Sequence, residues 1–247
     1  MTAVHTITFD NLGEVAALHR GEFPEGEPLG RHFSVTRALP RILDLLEQTG
    51  LRATFFVEGL NAELYPDTLS AIAAAGHEVA YHGWCHEQWA GLDAGEEARL
   101  LSRGVRALDE LGLRPRGFRP PGGELTSASL RLLHEHGFAY CSPSGDAVGA
   151  HGGLAILPFA WPLVDAYHYL PRFAALRGSD APHPPAELAR VLGGALHDGD
   201  RHTSVVFHPF LAEPEERFDV IRGHLHAVRA LVDRGELRCA PYREVAA

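Results

Sequence analysis

Short β-rich runs alternate with longer amphipathic stretches along nearly the whole chain, and several of those runs close on a titratable side chain. That alternation constrains the fold more than any other feature, because two parallel neighbouring strands need a helix-length connection between them. The runs cover residues 4–9, 53–57, 78–81, 117–119, 139–142, 155–157 and 204–208, with a weaker one at 237–239. Between them, the stretch 35–48 places Leu39, Ile42, Leu45 and Leu46 on one helical face, and Gly50 follows as a stop. The stretch 66–75 opens on Pro66 and ends at Gly76, and 96–111, 127–136, 185–197 and 215–234 complete the helical set. The expected fold class is α/β, a distorted (β/α) barrel with about seven parallel strands. At 247 residues, 45% hydrophobic and 22% charged, with no internal repeat or low-complexity tract, the chain suits a single domain over 1–247.

Charge and cysteine usage exclude several functions. The formal charge is −10 with no Lys/Arg run, so nucleic acid is not an expected partner. The first residues lack a basic stretch followed by an apolar helix, and no segment approaches the ~18 apolar residues of a membrane span. Cys85, Cys141 and Cys239 are odd in number and form no CxxC pair, which suits reduced thiols. A cytoplasmic location and a small soluble substrate are therefore expected. Two connections, 12–34 and 143–184, are longer than simple joints. The second carries Trp161, Tyr167, Tyr169 and Phe173, so it is read as substrate-facing, and its aromatics leave homo-oligomer formation open.

In parallel barrels the reactive groups collect where strands run out into the following loops. Asp10 follows Thr-Ile-Thr-Phe, His82 follows Glu-Val-Ala-Tyr, Arg119 follows Gly-Phe and His208 follows Ser-Val-Val-Phe. Each alone has a bland reading: a strand-end cap for Asp10, a surface ion pair for Arg119. Together they define a candidate site. His82 and His86, four residues apart, could face one metal if the chain turned into a helix after the strand, although such a pair alone is permissive.

The ordered segments resemble the polysaccharide deacetylase (NodB-homology) family of carbohydrate esterase type. Thr8-Phe9-Asp10-Asn11 corresponds to its Thr-Phe-Asp-Asp segment. His82 and His86 match its His-Ser/Thr-x-x-His pattern, with Gly83 in place of the hydroxyl residue. Arg119-Pro120-Pro121-Gly122-Gly123 matches its Arg-x-Pro-x-Gly pattern, and Val205-Val206-Phe207-His208 its last strand. The second-strand run Arg52-Ala53-Thr54-Phe55-Phe56 and Gly76-His77-Glu78 are also similar.

The resemblance implies a NodB-type barrel that removes an acyl group from nitrogen with metal assistance. Asp10 would be the general base held by Arg119, His208 the general acid, and His82, His86 and residue 11 the metal ligands. Pro121 and Gly122, with Trp161 and Asp165 from the long connection, would meet the substrate or, for Asp165, Arg119. The Trp161–Asp165 segment is similar to the allantoinase-like branch. Acid–base assistance of this kind is typically worth ~10²–10⁴-fold.

Asn11 is the departure, since the family has a second Asp there. A carboxamide keeps a coordinating oxygen and loses a charge, which weakens divalent metal binding. Asn11 coordinates through that oxygen, a nearby acid such as Glu14 substitutes, or the chemistry runs without metal. Zn²⁺ is the first expectation for a site rich in histidine. Cys85 is read as an inert thiol, and His134-Glu135-His136 as a solvated helix end; Asp146 lies where the family carries further supporting residues. The leading function is hydrolysis of an N-acyl, foremost N-acetyl, amide on an amino sugar or similar metabolite. The alternative is a metal-independent amidohydrolase opening a cyclic amide or imide. A catalytically dead, ligand-binding barrel is the third reading.

Overall fold

The computed structural model describes residues 2–197 and 202–247. Nine strands form one sheet: β1 (Ala3–Asp10), β2 (Thr54–Val57), β3 (Glu78–Tyr81), β4 (Gly117–Phe118), β5 (Tyr140–Cys141), β6 (Gly149–His151), β7 (Leu154–Ile156), β8 (His202–Phe207) and β9 (Leu237–Cys239). Their order is β6-β7-β5-β4-β3-β2-β1-β8, with β9 on β1. Every pairing is parallel except the β6–β7 hairpin.

β1 is the hub. Along one edge it pairs Val4–Phe9 with His202–Phe207. Its opposite edge is shared, Ala3–His5 going to Leu237–Cys239 and Thr8–Asp10 to Thr54–Phe56. Thr6 to Asp10 are all buried, as a strand covered on both faces requires. The sheet curls into a distorted, incompletely closed barrel. A single parallel bridge, Val164 with Val206, brings the chain after β7 against the far edge of β8. That bridge sets the 160s beside the end of β8, where the site lies.

Helices cover the outside. In Leu39–Thr49 the residues Leu39, Ile42, Leu45 and Leu46 are all buried, and Gly50 caps the helix in the left-handed conformation at φ 61°. A π-helical turn, Ser34–Ala38, leads into it, so the expected helix from residue 35 is split. Asp93 caps Ala94–Asp109 by accepting from the Gly95 and Glu96 amides at 2.8 and 2.9 Å.

The expected strands are all present, and β6 is additional. It belongs to the connection 143–184, whose turn is Gly152-Gly153 at φ 57° and 87°. Paired glycines with positive φ are the signature of a tight hairpin. The same connection folds further into Trp161–Leu163, Asp165–Tyr169 and Pro171–Phe173, and 12–34 carries the helix Val15–His19. No helix among the described residues is long and apolar enough to cross a membrane.

Candidate active site

Parallel register brings the C-terminal ends of β1, β3, β4 and β8 to one rim, and the side chains just beyond those ends converge there. Arg119 is the organising group, with 1% of its surface exposed. Its Nη1 donates to Asp10 Oδ1 and to Thr8 Oγ1, both at 2.8 Å. Its Nη2 donates to Ser142 Oγ at 3.0 Å and Tyr242 OH at 3.4 Å, while its guanidinium lies 4.1 Å from the Phe56 ring centre. A buried arginine needs this many acceptors, because an unpaired buried charge is strongly destabilising. Asp10 is thus held by one oxygen. Its Oδ2 has no hydrogen-bond partner among the described residues.

The backbone of Arg119 also fixes the first histidine. His82 Nδ1–H donates to the Arg119 carbonyl at 2.9 Å, which leaves the Nε2 lone pair free. Burial pushes the His82 pKa down to about 3, so the ring is neutral at pH 7, as a metal ligand must be. His86 stands with its ring centre 5.1 Å from that of His82, at 76°. Its pKa is also well below the usual value, first through burial and then through His82, His208, Arg20 and Arg172.

The expectation of a helix between the two histidines is not met. A tight turn brings them together, with Gly83 at φ 77° and His86 at φ 64°. Glu87 caps that turn, accepting from the Trp84 amide at 2.9 Å and the Cys85 amide at 3.0 Å. A Cβ on Gly83 would meet Glu87 Oε2 at 2.8 Å and Pro121 Cγ at 3.0 Å. The capping carboxylate therefore explains why glycine stands where a hydroxyl residue is usual.

Asn11 sits in the left-handed region at φ 59°, which asparagine tolerates better than most residues. Its Oδ1 is buried and has no hydrogen-bond partner. An orphaned carbonyl oxygen on a residue that lines one cavity with two neutral imidazoles fits a divalent metal, which His82, His86 and Asn11 would hold. No cluster of three or more His, Cys, Asp or Glu that could hold a metal occurs among the described residues, so a third donor beside the two histidines would have to come from a side chain of another type. Glu14 is not the substitute. It is fully buried, its Oε1 accepts from the Gly30 amide at 2.7 Å and its Oε2 bonds the Tyr65 hydroxyl, anchoring the first long connection.

His208, after β8, is oriented by Asp165. Its Nδ1–H donates to Asp165 Oδ1 at 2.5 Å and its amide to Oδ2 at 2.7 Å. Asp165 meets neither Arg119 nor the cavity, which corrects its expected place; it is a positioning residue for His208. The Val164–Val206 bridge puts it there.

Asp10, Asn11, His82, His86, Arg119 and His208 all line one cavity of about 540 Å³. Pro121, Gly122 and Trp161 line it too, and Trp161 packs against Phe159 and Phe173 with ring centres 5.2 and 5.0 Å away. Asp146 is exposed and stands outside the cavity lining. Cys85 has its pKa raised to about 11, mainly by burial, and stays a thiol at neutral pH.

Several supporting residues were not anticipated, and two obey the same strand-end rule. Ser142 follows β5 and Glu58 follows β2. Glu58 is fully buried, bonds Asn61 Nδ2 at 2.9 Å, and has its pKa raised to about 8, mainly by burial and further by Asp10. Tyr242 reaches Arg119 from the C-terminal helix, and no local signal marks it.

Asp10, Arg119, His208 and two neutral histidines thus share one cavity on the rim of a curled, mainly parallel sheet of the NodB type. The polysaccharide deacetylase profile matches residues 4–141, and the chain belongs to that family. A peptidoglycan deacetylase of Helicobacter pylori is 35% identical over 103 residues, a match spanning 41% of this chain and 35% of that protein. A Mycobacterium smegmatis structure assigned to the polysaccharide deacetylases is 30% identical, with TM-score 0.85 over 99% of this chain and 89% of the other. The PuuE allantoinase structure shares the fold at TM-score 0.77 and 17% identity, over 99% and 89% of the two chains.

Proposed function

We propose that the protein hydrolyses an N-acyl amide, foremost an N-acetyl group, on an amino sugar or related small metabolite. The observation that carries this reading is the pair of groups that line one cavity, Asp10 held by Arg119 and His208 held by Asp165. The family's deacetylases, among them the Helicobacter peptidoglycan deacetylase, supply the acyl-transfer chemistry.

Amide hydrolysis needs an activated water and protonation of a poor leaving group. Asp10 Oδ2 accepts the proton of the attacking water while Arg119 and Thr8 keep the carboxylate in place. The C–O bond forms, the C–N bond breaks, and His208 Nε2–H protonates the departing nitrogen. That donor requires a histidine protonated on both nitrogens, with its Nδ1–H held by the Asp165 carboxylate. A divalent metal, Zn²⁺ as first choice, held by His82, His86 and Asn11, would supply Lewis-acid polarisation of the amide carbonyl. The whole chain acts as one catalytic domain, in the cytoplasm.

The test is turnover of N-acetylated amino sugars by the purified protein, with metal content measured before and after chelation and add-back. Activity lost on chelation, restored by one divalent metal and abolished in Asp10→Ala is the expected result. Full activity in rigorously metal-free protein overturns the metal-assisted version. Unchanged activity in Asp10→Ala overturns the assignment of the base.

A further inference from the structure

The cavity has a charge its chemistry does not use. Of the charged groups lining it, Arg119 is neutralised by Asp10, and Glu87 is committed to the turn amides at 84 and 85. Two guanidiniums remain, Arg20 from the first long connection and Arg172 from the second. Arg20 Nε pairs with Glu22 at 2.7 Å. Arg172 makes no salt bridge among the described residues; its guanidinium lies 5.6 Å from the Phe173 ring centre. Two cations thus share one carboxylate, and a positive charge is left over at the mouth.

The two arginines are near enough to act on one another. Both line the one cavity, Arg172 is exposed, and the charge of Arg20 acts on it with Glu22 opposing. Trp161 and Phe173 line the same cavity, with ring centres 5.0 Å apart. One cavity thus holds Asp10 and His208, an apolar pair of rings and two guanidiniums.

We propose that Arg20 and Arg172 form an anion subsite, so that the substrate is an N-acylated amine carrying a carboxylate or a phosphate. Planar guanidiniums bind both groups well, often through paired hydrogen bonds. A cavity of about 540 Å³ takes one ligand of monosaccharide size, with its amide at Asp10 and His208 and its anion at the rim. The amide half of that statement rests on the deacylase reading above; the anion half does not.

The experiment uses three probes of matched scaffold: N-acetylglucosamine, its 6-phosphate, and N-acetylmuramic acid, which bears a carboxylate. Affinity is measured by calorimetry and kcat/KM by amine release, for wild type, Arg20→Gln, Arg172→Gln and the double variant. The expected result is a preference of roughly 10-fold or more for an anionic probe over the neutral one, weakened by salt and collapsing in the double variant. Which anion is preferred separates carboxylate from phosphate. Equal affinities, no measurable binding of either anionic probe, or a preference that survives the double variant overturns the subsite. Binding preference without turnover of any probe supports the subsite and counts against the deacylase reading alone.

Discussion

Two side chains decide what this rim can do chemically. Asp165 gives both its oxygens to His208, one to Nδ1–H and one to the amide. With the Ala166 amide also on Oδ1 at 2.6 Å, Asp165→Asn leaves a single acceptor for three donors and sets an amide nitrogen against at least one of them. The expected result is a kcat lower by roughly 10²–10⁴-fold with KM little changed, and a displaced pH profile, in a protein that still melts cooperatively. Asn11 is the second. Its backbone conformation at φ 59° also suits aspartate, so Asn11→Asp adds a charge without new strain. The variant is expected to hold divalent metal roughly 10-fold or more tightly, read by titration calorimetry and by metal retained through dialysis. Unchanged affinity would remove position 11 from the ligand set. The positions of Asp10, His82, Arg119 and His208 were legible because each ends an apolar run, a local pattern. Asp165 as the partner of His208 was not, since the contact depends on a bridge between Val164 and Val206, residues 42 apart in numbering.

At the scale of elements, the rim is only as well placed as the strands that carry it. Tyr81 ends β3 directly before His82, and its hydroxyl donates to the Leu100 carbonyl of the Ala94–Asp109 helix at 2.7 Å. Gly104 of that helix makes room for the ring: a Cβ there would meet Tyr81 Cε2 at 2.1 Å and Cζ at 2.2 Å. Gly104→Ala therefore overpacks the contact and is expected to cost about 1–3 kcal/mol in denaturant unfolding. Catalytic activity should fall with it, because Tyr81 is covalently next to the histidine it places. Alternation of strand and helix patterns revealed the parallel sheet, since buried strands and amphipathic helices have different periods. The hairpin of β6 and β7 was lost because its first strand is exposed and only three residues long, Gly149–His151, too short for any period to register.

Over the whole molecule, buried ionisable groups set opposing slopes of stability with pH. At the end of the barrel away from the site, His5 Nε2 meets His224 Nε2 at 2.9 Å, and His202 Nε2 meets Thr6 Oγ1 at 3.0 Å. Only one hydrogen fits between the two Nε2 atoms, so protonating both rings breaks the contact. Burial lowers His77, His202 and His224 to about 4, and lowers His5 as well, from the usual 6.5. The unfolded chain therefore binds more protons between about 4 and 6.5, and stability rises with pH across that window. Glu58 works in the other direction. Its pKa is raised from 4.5 to about 8, so the folded state holds the extra proton and stability falls as pH rises towards 8. These four histidines, with His32, His82, His86 and His168 lowered as well, outweigh Glu58, and Glu78 raised with it, below pH 6.5. Above that, Glu58 dominates. Stability, and with it the melting temperature, is expected to peak near pH 6.5 and to decline towards pH 8, the free energy of unfolding falling by about 2 kcal/mol at 1.36 kcal/mol per pH unit. Glu58→Gln places an N–H where the protonated acid has its O–H, so it should fold and lose that decline while keeping the acid limb. Substituting the histidine pair as His5→Phe with His224→Leu should make the acid limb shallower instead, since the other depressed histidines remain. Thermal melts from pH 4 to 9 decide between the two sources, because a decline above pH 6.5 that persists in Glu58→Gln would mean that this buried carboxyl does not govern it.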